Sequence, residues 1–145
     1  MIDVPAPFNR VMSWINYKYE IQGELYWGVN AADGLYQNSS WEEQLCAGGN
    51  GDGSLTYPGR AREIGGTEFV PIASQRLKLI RDGLEDIEYM YVLEDLQGRE
   101  AALAVVDTVV RAAYDFEHEA APMIAAREAL ADAIESALRG ERTSS

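Results

Sequence analysis

The sequence predicts an α/β chain, two short parallel strands in the first half leading into a helical end. Three observations carry that expectation. Composition changes near residue 73: all three Trp, four of the five Pro and most of the Gly precede it. Two short runs, "ELYWGVN" (24–30) and "SLTYP" (54–58), combine aromatic and β-branched residues as strands do. After residue 73, alanine, leucine and charged residues recur at helical spacing.

Taken in order, "FNRVMSWINYKYE" predicts a first helix, with Pro7 near its start and Asn9 as a cap. Val11, Trp14, Ile15 and the stem of Lys18 share one face, and Gly23 is expected to stop it. The strand 24–30 follows, with Tyr26 and Trp27 on opposite faces. Residues 31–50 read as irregular, Ser40 capping one helical turn through "WEEQLC". "SLTYP" is the second strand, closed by Pro58-Gly59. A helix over 74–96 carries Leu77, Ile80, Leu84, Ile87 and Tyr91 as its apolar stripe, despite Gly83. Gly98 separates it from a helix over 99–119, with Leu103, Val106, Val110 and Ala113 aligned. Pro122 opens the last helix, which aligns Leu130, Ile134 and Leu138 and stops at Gly140. Residues 141–145 are expected to be a disordered tail.

The 145 residues have the length of one ordinary domain, and 47% hydrophobic residues make a globular composition. A net charge of -12 argues against nucleic acid, whose phosphates demand a basic surface, and equally against docking on an anionic membrane. No apolar run approaches the ~18 residues of a membrane span. "MIDVPAPFNR" lacks the basic start and apolar centre of a secretory signal, and the compartment stays open. Lone Cys46 forms no internal disulfide, and lone His118 excludes a multi-histidine metal site within this chain. His118, between Glu117 and Glu119, reads as a surface histidine. Neither a metal nor a cofactor is expected. Asn38-Ser39-Ser40 fits the glycosylation triplet, but without a secretory signal chance is the preferred reading.

"GGNGDGSLTYPG" (48–59) is the most unusual stretch. A phosphate-binding loop needs a closing Gly-Lys-Ser/Thr, and there is no lysine between residues 19 and 77. A calcium loop counted from Asn50 would need glycine at Leu55 and an acid at Ala61. A hairpin at Asp52-Gly53 lacks strand alternation before it. A flexible loop entering the strand "SLTYP" survives.

In their order, "LYWGVN", "GDGSLTYPG" and "IASQRLKLIRDGLEDIEYMYVLEDL", with "FNRVMSWINYKYEIQG" before them, resemble the end of the catalytic domain of glycoside hydrolase family 123. The resemblance covers about residues 2–96 and extends weakly to 138. It implies the C-terminal fragment of a TIM (β/α)8 barrel, which as a whole takes roughly 250 residues. Residues 1–145 would be one partial domain, with barrel-end strands and loops over 1–72 and C-terminal helices over 73–140. The implied parent hydrolyses β-linked N-acetylhexosamine of the N-acetylgalactosamine type, the substrate's own acetamide serving as nucleophile. The family's Asp-Glu pair is absent from this sequence. No catalytic residue is therefore assigned, and activity would require the preceding barrel part of a parent chain. Expected partners are that part and a carbohydrate substrate. The alternatives are a carbohydrate-binding remnant and a non-catalytic acidic helical module using its apolar faces at 100–117 and 122–138.

Four residues are candidates for the sugar pocket, each with a structural rival. Trp27 can stack on a sugar face or plug a core, the two weighing equally. Asn30 can donate to a hydroxyl or satisfy loop backbone. Asp52 can accept from a hydroxyl, although an Asx-type turn is the stronger local reading. Tyr57 offers a ring and a phenol, or half-buried packing. Arg10 can reach the pocket mouth, with a surface ion pair favoured. Asp82, Glu85 and Asp86 share a helix face, where neutralisation by Lys78 and Arg81 or solvation outweighs a metal role. Arg76, awkward beside the positive end of a helix, is expected to pair with an acid from "DGLED" or from a parent chain.

Overall fold

The computed structural model describes residues 2–31, 41, 45–46 and 49–143, the side chains of 45, 46 and 141–143 excepted. The chain is mixed α/β and mostly helical. It divides into two compact units, one of Met1–Pro5 with Glu24–Leu79, the other of Ala6–Gly23 with Ile80–Ser145.

The second unit holds the hydrophobic core. A 3-10 turn, Ala6–Asn9, leads into α1, Val11–Lys18. Asn9 donates to the Ala6 carbonyl (3.3 Å), and Arg10 rather than Asn9 occupies the position before the helix, without a side-chain cap. The helix ends well before Gly23. The Ile21 amide reaches back to the Asn16 carbonyl (2.9 Å) and the Glu20 amide to that of Tyr17 (3.3 Å), a Schellman ending. Its left-handed position is filled by Glu20, at φ 55°. Glu20→Gly removes the Cβ clash of that conformation and is expected to stabilise the protein by about 0.5–1 kcal/mol. Urea denaturation would read this as a higher midpoint; an unchanged or lower one would count against the assignment.

The long helix α3 covers Gln75–Gln97, within one residue of expectation at each end. Ser74 starts it, its Oγ accepting the Leu77 amide (3.3 Å). The single turn α2, Ala61–Ile64, precedes it. In the second unit the buried face of α3 is not the predicted stripe: Leu84 and Tyr91 are exposed, while Gly83, Asp86, Met90 and Leu93 are buried. The cause lies at Gly83. A Cβ there would stand 2.6 Å from the Arg10 carbonyl oxygen and 3.0 Å from Ser13 Oγ. Only glycine admits α1 this close, and the approach buries Trp14 against α3.

The predicted helix over 99–119 stops early. α4 covers Arg99–Val109, burying Ala102, Val106 and Val109. The β-branched run Thr108-Val109-Val110 then turns into a hairpin, β5 (Val110–Ala112) against β6 (Asp115–Phe116), turning at Ala113-Tyr114. Phe116 packs edge-on against Phe8 (5.0 Å between centroids), and His118, exposed as expected, adds its ring 4.8 Å from Phe8. α5 covers Ala120–Thr143, with Pro122 in its first turn, where a missing amide is tolerated. Met123, Ala126 and Leu130 are buried, whereas Leu138 is exposed. Gly140 does not stop the helix; a glycine costs only about 1 kcal/mol there. The expected tail lies in helix to Thr143, and residues 144 and 145 fall outside the described residues.

In the first unit the predicted parallel strands are not found among the described residues. Residues 24–29 form no ladder, and Asn30 makes an isolated antiparallel bridge to Ser54. Instead β3, Thr56–Gly59, pairs antiparallel with β4, Val70–Ala73. The ribbon closes through residues 60–69, which include α2. Its register sets Pro58 opposite Pro71. Leu45–Cys46 (β1) pairs antiparallel with Gly49–Asn50 (β2), so the expected helical turn does not reach these residues. Ser40, the Asn38-Ser39-Ser40 triplet and the Cys46 side chain lie outside what is described.

Candidate functional site

The candidate site lies in the first unit, where the loop 49–55 meets the segment 26–31. Three backbone bonds join them: Ala31 N–H to the Gly53 carbonyl (2.9 Å), and the Leu55 and Thr56 amides to the Val29 carbonyl (2.6 and 3.2 Å). Gly53 makes the junction possible. It sits at φ 65°, and a Cβ there would lie 2.6 Å from Trp27 Cη2 and 2.9 Å from the Ala31 Cβ.

Against this loop Tyr26 and Trp27 converge on one carboxylate. Trp27 Nε1–H donates to Asp52 Oδ1 (3.1 Å), and the Tyr26 hydroxyl donates to the same oxygen (3.3 Å) while accepting the Gly53 amide (2.8 Å). The expectation that the two rings take opposite faces is thereby corrected: outside a strand ladder, nothing enforces alternation. Burial first, and the Asp52 carboxylate after it, push the Tyr26 phenol up against the opposing Gly53 amide, so it remains a donor at neutral pH. Both rings stay open to solvent, Trp27 at 48% and Tyr26 at 43%. Asp52 is half-buried, and among the described residues nothing bonds its Oδ2.

Of the four predicted site residues, Trp27 and Asp52 touch. Asn30 is exposed at the bridge to Ser54 beside them. Tyr57 takes the half-buried packing role: it stands on β3 with Trp41 at 5.6 Å and the Arg76 guanidinium 5.6 Å from its ring centre. Among the described residues Arg76 pairs with no acid. It is buried, 7% exposed, and Nε and Nη2 both donate to the Ser54 carbonyl, fixing the loop to the first turn of α3. Its charge is therefore held by a carbonyl and an aromatic face. Tyr26 was not among the predicted site residues. The available signal was its place beside Trp27, together with a glycine loop holding a single acid.

Arg10 belongs elsewhere. In the second unit its Nε and Nη2 grip Asp86 Oδ2 and Oδ1 (2.6 and 2.7 Å), a fork neither at a pocket mouth nor on the surface. Asp86, fully buried, also accepts Trp14 Nε1–H (2.8 Å) and Arg127 Nη1–H (2.8 Å). The neutralised or solvated face expected here holds for its neighbours, Asp82 and Glu85, which Arg81 meets at 2.7 and 3.5 Å, while Asp86 turns inward. Among the described residues no group of three metal-ligating side chains gathers, and no helix is long and apolar enough to cross a membrane. Compared with known families and curated proteins, the chain matches no family model and no curated sequence.

Proposed function

We propose that this chain supplies part of the sugar pocket of a glycoside hydrolase acting on β-linked N-acetylhexosamine, and not its catalytic acid pair. The observation that supports the reading is the Tyr26–Trp27–Asp52 arrangement. A carbohydrate presents an apolar C–H face and a rim of hydroxyls. A half-exposed indole answers the first, and a carboxylate oxygen with spare acceptor capacity answers the second. The bond from Trp27 to Asp52 holds the ring before any ligand arrives, reducing the ordering cost of binding. The barrel part of the proposal rests on the motifs of the sequence, since the Asn30–Ser54 bridge is antiparallel. Substrate-assisted hydrolysis would draw its Asp-Glu pair from a longer parent chain.

The test is titration of the chain with N-acetylgalactosamine, followed by calorimetry and by tryptophan fluorescence. Saturable binding is expected, weakened at least roughly tenfold in Trp27→Ala, since stacked rings and their hydrogen bonds together exceed 1.4 kcal/mol. An aryl β-N-acetylgalactosaminide should not be turned over. Absent binding would remove the pocket; robust turnover by this chain would overturn the assignment of the acids elsewhere.

A further inference from the structure

Within the second unit, α3 and α5 enclose a groove of about 360 Å³ walled by Glu88, Tyr89 and Val92 on one side and Ala131, Ile134 and Glu135 on the other. We propose that this groove docks a basic amphipathic helix of a partner protein. The proposal is independent of the sugar pocket.

Three observations lead to it. The walls carry apolar residues at helical intervals, Tyr89 to Val92 and Ala131 to Ile134, and Leu138 extends the second row by one turn. A third helix laid along such a trough meets both rows with its own apolar stripe. The apolar surface is uncovered, Val92 being 44% exposed. The rim is acidic on both walls. Among the described residues Glu88 makes no ion pair, and there Glu135 pairs only with the exposed Arg139 of its own helix, at 3.3 Å. Arg127, whose guanidinium lies 4.9 Å from the Tyr89 ring centre, is already neutralised by Asp86 and Glu85. An occupant thus meets negative charge on either flank, on a chain of net charge -12. An acidic helix or a second copy would add like charge, while lysine or arginine flanking an apolar stripe fits.

The experiment uses the full chain and a fluorescein-labelled 16-residue helix of leucine and lysine, read by anisotropy, with a leucine–glutamate peptide of the same pattern as comparison. One-to-one binding of the lysine peptide alone is expected. Glu88→Lys with Glu135→Lys should weaken it roughly tenfold, and Val92→Asp similarly. Glu68→Lys with Glu119→Lys changes net charge equally at exposed positions outside the groove and should leave affinity within about twofold. Circular dichroism verifies that each variant keeps its helix content. Equal losses in the two double variants would reduce the effect to bulk charge and overturn the proposal. So would binding of the glutamate peptide, or no binding of either.

Discussion

Asp86→Ala is expected to destabilise the protein by roughly 3–5 kcal/mol, the cost of removing one partner from a buried ionic cluster. The carboxylate takes two hydrogen bonds from Arg10, one from Trp14 and one from Arg127, with no exposed surface of its own. Its loss leaves the Arg10 guanidinium and the Trp14 indole N–H facing a void that water reaches poorly, and leaves Arg127 with Glu85 as its remaining acid. Asp86→Asn keeps the shape and one acceptor oxygen, and should lose about half as much. Replacing Arg10, Asp86 and Arg127 together by apolar residues of similar size should recover most of the loss, because the penalty lies in the unmatched charges. Urea denaturation followed by tryptophan fluorescence measures all three. A loss under 1 kcal/mol for Asp86→Ala would show that the cluster does not hold the second unit together.

The second large effect is expected at Gly53. Its φ of 65° costs a residue with a Cβ about 1–2 kcal/mol, and that Cβ would meet the Trp27 ring and the Ala31 methyl group. Gly53→Ala should therefore expel the indole from its bond to Asp52 and withdraw the backbone support the loop gives to Tyr26. The readout is a shifted tryptophan emission together with loss of N-acetylgalactosamine binding, while the buried helical core keeps its circular dichroism. Unchanged emission would mean that the loop yields elsewhere and that the ring does not depend on the glycine.

The long helix was legible from Ser74 onward because a capping hydroxyl and a helix-rich composition act locally. Its buried face was not legible. Sequence periodicity ranks Leu84 above Asp86 for burial, and only the close passage of α1 over Gly83 reverses that order. The predicted α4 runs too long because Val110 continues the apolar spacing equally well as helix or as strand; the hairpin instead sets Phe116 against Phe8. In the candidate site, Trp27 and Asp52 were both legible as residue types. That they meet, with Tyr26 on the same oxygen, depends on two loops joined by backbone bonds, which no alternation rule encodes.

The facing prolines of the β3–β4 ribbon have a further effect. Ser74 donates to the Leu55 carbonyl (3.1 Å), so rungs alternate from there and the Pro58–Pro71 rung turns its backbone groups outward. Each outer margin consequently lacks an N–H where a third strand would require one, and the outward carbonyl of Pro58 is already taken by the Trp41 indole (2.7 Å). The two-stranded ribbon is thereby sealed against growth by neighbouring molecules, a built-in guard against fibril formation in a segment that also exposes Phe69 and Val70.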